Sequence, residues 1–524
     1  MAWIDVADGA EVETAGRLVV RAEGRQILLT STPQGLFATA NRCPHEGYPL
    51  SEGTLQGCTL TCNWHNWKFD LASGETLVGG DRLRRYPVRT EAGRIWLDLA
   101  EPPAAERTAK VLDGLIQALH ERDQQRLVRE TARLDRIGTD PAQAIRTALA
   151  WAHDRLEYGT THAFAAAPDW LRLHDDGRLG ADVRLMALGE ILGHIADDVA
   201  GTETHFRFES GTTSWDAARF LAAIEQEDEA TAVGLLRGAL AEPAWPEDFA
   251  AALFGAGLLH YADFGHALIY VAQALRLIDR LGRDMAEPVL LPLVRSLVYA
   301  RREDLLPEFR DYRARLDAWW ASADNAAPLD PAALRRTSAK QAMAIVAAWG
   351  PIHRPDAIFA VLVEAAAWQL LQADAAFIAS ADQKLSDNVG WLDFTHGLTF
   401  AAAGLDAVRA DPSLWPALLL QLACFVGRNG RYVDPELETG AWRVHDMATF
   451  RDAAIDRVIL HSQGRFIFSA HLAKTLFAAF ELAAAVPDAA PTVLAATNRF
   501  LQAPLRGREP LRTARQMLAF VAEE

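Results

Sequence analysis

Apolar residues follow two different periods along this chain, and the change falls near residue 102. Before it the pattern is short and alternating. Residues 17–22, 25–30, 35–39 and 94–99 are β-branched or alternating runs broken by Gly and Pro, which predicts strands. From about Lys110 apolar positions recur at i, i+3, i+4 and i+7 in stretches rich in Ala, Leu, Glu and Arg, which predicts helices over 111–137, 213–241, 271–281, 358–375 and 470–485. An Asp, Asn and Pro cluster at 324–331 divides the helical region into halves, 111–322 and 332–524. The expected fold is multidomain. An all-β unit spans 1–102 and a linker 103–110. A large all-α region, 111–524, is built of two related helical halves.

Length and composition narrow the class. A chain of 524 residues is too long for one core, and 50% hydrophobic residues suffice to bury several. A net charge of −17 disfavours nucleic acid and anionic membranes as partners. Four Cys (43, 58, 62 and 424) give no disulfide framework and suit a reducing cytoplasm. No basic n-region opens the chain, and apolar stretches such as 414–426 are too short to span a bilayer, so the expectation is a cytoplasmic protein without membrane contact.

The chemistry begins at Cys43-Pro44-His45 and, sixteen residues on, Cys62-Asn63-Trp64-His65. Two thiolates and two imidazoles in C-x-H and C-x-x-H spacing suit a [2Fe–2S] centre with two Cys on one iron and two His on the other. The same donors would also suit tetrahedral zinc. The flanking residues Pro44, Gly47, Pro49, Leu50, Gly53, Trp64, Trp67, Phe69, Asp70 and Gly74 decide for iron, because over residues 1–100 the chain resembles the Rieske domain of oxygenases and soluble ferredoxins. It departs from that pattern at Asn63, where the family usually has Pro. It also lacks the extra loop disulfide of the respiratory branch, which implies a lower-potential donor. Cys58 is expected on a strand near the cluster, and Trp64 and Trp67 are expected to shield it. By the resemblance, His45 and His65 sit at the exposed tip and pass the electron on.

Twelve of the fifteen His lie beyond residue 150. Two contexts match: Tyr261-Ala-Asp263-Phe-Gly-His266 and Trp391-Leu-Asp393-Phe-Thr-His396, each followed by small-Leu-x-aromatic-x-Ala. Thr161-His162 and Ala470-His471 are weaker relatives. Asp and His at i and i+3 share a helix face. Facing pairs could hold non-haem iron, mononuclear or dinuclear, with Asp263 and Asp393 orienting the imidazoles. The expected metal ligands here are His266, His396, His471 and His162. Glu157, His260, His353, Glu364 and His461 are further candidates. A lone His on an apolar helix is usually a satisfied core residue, and only the repetition and the upstream electron donor argue otherwise. The stretches around His396 and around His471 to Lys474 are also similar to questin oxidase-like proteins. That resemblance implies O₂-dependent oxidation of a polycyclic or aromatic ketone and gives His396, His471 and Lys474 site roles. Tyr261, Phe264, Trp391 and Phe394 could line an aromatic pocket.

No G-x-G-x-x-G follows a strand, and no Walker A loop or nucleophile elbow occurs. An external NAD(P)H-dependent reductase or ferredoxin is therefore implied as electron source. The reading is an oxygenase acting with O₂ on an apolar, aromatic or polycyclic substrate, as a homo-oligomer by analogy. The catalytic set is His266, His396, Asp263, Asp393, His471 and Lys474. The contrasting readings are a Rieske electron carrier whose helices bind a partner, and a Rieske-linked reductase that does not use O₂.

Overall fold

A computed structural model describes residues 3–199, 203–319 and 329–522. The chain divides into two compact units, 1–110 and 111–524. The segment 324–331, expected to separate two helical halves, lies mostly outside the described residues.

The first unit carries eleven strands among its described residues: β1 (Trp3–Asp8), β2 (Arg17–Ala22), β3 (Arg25–Thr32), β4 (Gly35–Ala40), β5 (Thr54–Gln56), β6 (Thr59–Thr61), β7 (Lys68–Asp70), β8 (Thr76–Val78), β9 (Arg85–Tyr86), β10 (Val88–Glu91) and β11 (Arg94–Asp98). They form three sheets, ordered β1-β11-β10, β2-β3-β4-β9 and β5-β6-β7-β8, with neighbouring strands antiparallel throughout the described residues. The turns Glu23-Gly24 and Ala92-Gly93 have positive φ at both positions, the conformation that matches the twist of a two-residue hairpin. Successive residues of β3 point to opposite faces. Leu29 joins a core with Val20, Ile27, Ile95 and Leu97, while Leu28 joins one with Cys43, Leu50, Leu60, Cys62 and Phe69. β3 thus forms the floor beneath the two Cys-bearing loops.

The second unit has no named strand among its described residues. Several expected helices are interrupted. The run 111–137 breaks where Arg122 adopts φ +54° and Asp123 caps a new helix by accepting from Arg126 N. The run 213–241 breaks the same way at Glu227 and Asp228. The residues read as a linker begin a helix, Ala104–Glu121, because Ala, Glu and Arg follow Pro103 without a breaker.

Eight helices build the ring and its backing: α1 (His162–Asp175), α2 (Ala181–Asp198), α3 (His266–Leu281), α4 (Ala286–Val298), α5 (Trp391–Ala410), α6 (Trp415–Asn429), α7 (Phe466–Ala485) and α8 (Ala490–Phe500). Four of them close a ring, with α1 on α3, α3 on α5, α5 on α7 and α7 on α1. Each is backed by the helix that follows it: α2, α4, α6 and α8. The inner helices run parallel, since each places its histidine in its first two turns and lines one shared cavity with residues further along. α7 is the one described helix long and apolar enough to cross a membrane, and it is an inner wall of this ring with 72% of its apolar window buried.

Candidate functional site

Two loops of the β unit present Cys43, His45, Cys62 and His65, and they are built alike. Gly47 N–H donates to Cys43 O and Asn66 N–H to Cys62 O, both at 2.9 Å. In return Cys43 N–H donates to Tyr48 O and Cys62 N–H to Trp67 O. Gly47 (φ +81°) and Asn66 (φ +61°) take the left-handed turn that Gly allows and Asn tolerates. Both Cys are buried and unpaired, while the His lie toward solvent with Nδ1 atoms 3.1 Å apart. Trp67 stacks on His45 and Trp64 on His65, with centroids 4.6 and 4.7 Å apart. Trp67 covers its histidine, but Trp64 is 55% exposed. Glu46 stands 3.9 Å from His45 Nε2 and 3.8 Å from His65 Nε2.

These donors fit a [2Fe–2S] cluster. Burial pushes the Cys43 thiol up to about 11, so a neighbouring cation is needed to hold it as thiolate. The two Nδ1 atoms converge, while both Nε2 atoms point away from each other's ring toward the Glu46 carboxylate. Asn63, in place of the family's Pro, ties the second loop down: its Oδ1 accepts from Thr54 Oγ1 and its Nδ2 donates to Glu52 O. Cys58 is not on a strand. It lies in the turn between β5 and β6 with Sγ 3.5 Å from Thr32 Oγ1, because Gly57 reverses the chain there.

The second constellation is the ring's histidine layer. His162, His266 and His396 offer nitrogens that all lie within 4.8 Å of one another. Nε2 of His266 is 3.0 Å from Nε2 of His162 and 2.9 Å from Nε2 of His396. His471 completes the layer, its ring 5.1 Å from that of His162 and 5.0 Å from that of His396. Main-chain carbonyls fix three of the rings. Nδ1 of His266 donates to Asp263 O, Nδ1 of His396 to Leu392 O, and Nδ1 of His471 to Ile467 O, at 2.6, 2.6 and 2.7 Å. A carbonyl can only accept, so each Nδ1 holds the proton and each Nε2 presents a lone pair. Burial holds all four imidazoles well below their usual range, His266 down to about 3. The layer is therefore neutral. No donor stands between the Nε2 lone pairs of His266 and His396, and His471 Nε2 is buried without a partner. Nitrogens about 3 Å apart are spaced as neighbours on one metal ion at ~2.1 Å would be. The donor set fits a metal.

The carboxylates expected to orient these rings do not. Asp393 accepts from Gly390 N–H at the start of α5 and lies 3.5 Å from Arg428. As the third residue of its helix it serves the helix end. Asp263 gives His266 its carbonyl, not its side chain. It opens a turn, Asp263-Phe264-Gly265, with three successive positive φ angles. A Cβ on Gly265 would stand 2.6 Å from the Phe425 ring, so only glycine fits where the chain enters α3. Phe264 packs edge-on to His396, held under Arg428. Trp391, Phe394 and Tyr261 are core residues.

The other candidates lie elsewhere. His260 is satisfied by Asp304 and Glu225, while Glu364 takes Arg335 on one oxygen and buries the other without a partner. His461 sits 3.4 Å from Glu190, His353 is buried apart from the layer, and Glu157 is exposed. Lys474, one turn past His471, is fully buried with no partner for Nζ, and burial lowers it to about 8. The sequence reading missed Asp169, also fully buried and raised by burial to about 6. Its signal was an isolated acid in the apolar run Ala163-Phe-Ala-Ala-Ala-Pro-Asp169-Trp-Leu.

Residues 2–85 match the Rieske [2Fe-2S] domain family. The chain is similar to the 4beta-methylsterol monooxygenase of Methylococcus capsulatus, 38% identical over 115 residues, 18% of this chain and 31% of that protein. It is also similar to the ferredoxin component of the naphthalene 1,2-dioxygenase system of Pseudomonas aeruginosa, 31% identical over 100 residues, 19% of this chain and 96% of that protein. Among solved structures, a ferredoxin of Sphingomonas yanoikuyae B1 is 24% identical, with 19% of this chain and all of that chain covered, at a TM-score of 0.18. The chain thus spans about a third of the first relative and nearly all of the second. Through its N-terminal unit it belongs to the Rieske [2Fe–2S] proteins. The resemblance of the helical unit to questin oxidase-like proteins stands on its motifs alone.

Proposed function

We propose that this Rieske chain is an oxygenase. In this reading an external NAD(P)H-dependent reductase or ferredoxin delivers electrons to a cluster held by Cys43, His45, Cys62 and His65. His162, His266, His396 and His471 would hold a single non-haem iron as their destination. The one observation that carries the reading is the convergence of Nε2 of His162, His266 and His396 inside the ring, with Nδ1 of His266 and His396 tied to main-chain carbonyls and the His471 ring beside them. Iron there would supply the redox chemistry that lets O₂ react with an unactivated substrate.

The chain's own groups do the rest. The carbonyls of Asp263, Leu392 and Ile467 hold each imidazole in one tautomer and one orientation. Tyr270 borders the layer, its hydroxyl 3.4 Å from His162 Nδ1. Phe264 offers an aromatic edge beside His396, which suits an apolar or aromatic substrate. Dinuclear carboxylate sites need bridging acids. The Asp393 carboxylate is engaged at its helix start and Asp263 gives the layer only its main-chain carbonyl, which favours one iron. The carrier reading leaves the buried four-histidine layer without a role.

The test is iron content and EPR of anaerobically purified protein, wild type against the His266→Ala/His396→Ala double variant. The reading expects three irons per wild-type chain and loss of only the third in the variant. Two irons in both, with an unaltered cluster signal, would leave an electron carrier.

A further inference from the structure

One to two turns beyond the histidines, the same four helices bring a second polar layer together. α1 supplies Asp169, α3 Gln273, α5 Thr399 and α7 Lys474, around a cavity of about 20 Å³. That is room for one water molecule. Two buried polar atoms belonging to its wall lack partners, and they are complementary: Lys474 Nζ can only donate and Gln273 Oε1 only accept. Gln273 Nε2 donates to Asp169 Oδ2 at 2.5 Å. The rest of the lining is Ile, Ala and Arg276. Arg276 bridges to Asp406 at 2.7 Å and to Glu481 at 2.8 Å, and Glu481 also takes Arg172. Arg276 and Glu481 line an open groove on the outside of the ring.

We propose that Asp169 and Lys474, through one water held between them, form a proton relay from the groove at Glu481 to the histidine centre. The proposal rests on the oxygenase reading, whose stoichiometry requires a supply of protons. Inserting one oxygen atom of O₂ into a C–H bond (R–H + O₂ + 2e⁻ + 2H⁺ → R–OH + H₂O) draws electrons from the reductase and protons from solvent. The Lys474 ammonium breaks an N–H bond and protonates the oxygen being reduced. The amine left behind takes a proton from the cavity water as that water takes one from the Asp169 carboxyl. The carboxylate recovers its proton from the groove. Both groups are tuned by burial toward neutrality, which suits transfer near pH 7. Asp169 favours the Lys474 ammonium, and the titratable groups that feel that charge in turn are His162, His266, His396 and His471, whose protonated forms it disfavours.

The test follows reoxidation of the dithionite-reduced, iron-replete full chain by O₂ in a stopped-flow instrument, in H₂O and D₂O across pH 6–9. Asp169→Asn and Lys474→Met are expected to slow the phase at least ~10-fold and to abolish its solvent isotope effect, with cluster EPR and iron content unchanged. Asp169→Glu should restore the isotope effect, whereas Lys474→Arg, which keeps the charge but cannot release it, should not. A readout free of turnover accompanies this. Infrared difference spectra of ¹³C-aspartate-labelled, metal-free chain should show a carboxyl band titrating near pH 6 that Asp169→Asn removes. If the first two variants fail to load iron, the Glu and Arg pair decides. Wild-type rates and isotope effects in the iron-replete variants overturn the relay alone. A wild type holding only the cluster's iron overturns the oxygenase reading and the relay with it.

Discussion

Nε2 of His266 faces Nε2 of His396 across 2.9 Å, and both rings carry their proton on the far nitrogen, bonded to a main-chain carbonyl. Two lone pairs at that distance repel unless a cation lies between them. This is a cost the helices impose on the chain until the site is filled. Removing the metal should therefore lower the melting temperature of the wild type. In the metal-free state, His396→Ala should be as stable as wild type or more so, against the several kcal/mol usually lost when a buried side chain is cut back. Differential scanning calorimetry with and without chelator reads both. A destabilised metal-free variant, with no chelator effect on wild type, would contradict the site.

Gly265 sets where α3 begins. Its φ of +77° and the Phe400 and Phe425 rings beside it leave no space for a Cβ. Gly265→Ala should cost on the order of 2–4 kcal/mol and rotate His266 out of the layer. The expected result is a protein with its Rieske spectrum intact and its extra iron lost. Retention of full iron would show that the turn does not position the ligand.

Glu46 places a carboxylate beside the outer nitrogens of both cluster histidines. Its charge opposes arrival of an electron. Glu46→Gln should raise the midpoint potential by ~20–50 mV at low ionic strength, less in high salt because the site faces solvent. Protein-film voltammetry measures it. An unchanged potential would mean that solvent screens the pair completely.

Lys474 falls from its usual 10.5 to about 8 in the fold, chiefly through burial. The folded chain then binds fewer protons than the unfolded chain between pH 8 and 10.5, so its stability rises with pH through that window, and the full cost is present below pH 8. Lys474→Met removes this cost. In metal-free protein the variant should be more stable than wild type at pH 7, by up to about 3 kcal/mol. The advantage should fade between pH 8 and 10.5. Urea melts at several pH values measure it, and a pH-independent difference would contradict the burial of a titrating amine.

The division between strand and helix was legible because a period of two and a period of 3.6 leave different marks. The cluster loops were legible because four ligands and their turn residues are close in sequence. The ring was only half legible. Asp263-x-x-His266 and Asp393-x-x-His396 announced a repeat, but the spacing suggested that the carboxylates orient the rings. In the fold, Asp393 stands at the third position of α5 and is drawn to the free N–H groups of its helix start, while Asp263 bends the chain. Asp169 went unnoticed because an acid in an apolar run marks burial only once the neighbouring helices are known.

The most direct measurement is anomalous diffraction at the iron edge from anaerobically grown crystals. A peak within bonding distance of Nε2 of His266 and His396, in addition to the pair at Cys43, His45, Cys62 and His65, is the result expected of an oxygenase. Iron at the cluster alone, with the ring histidines in direct contact and no density between them, would contradict it.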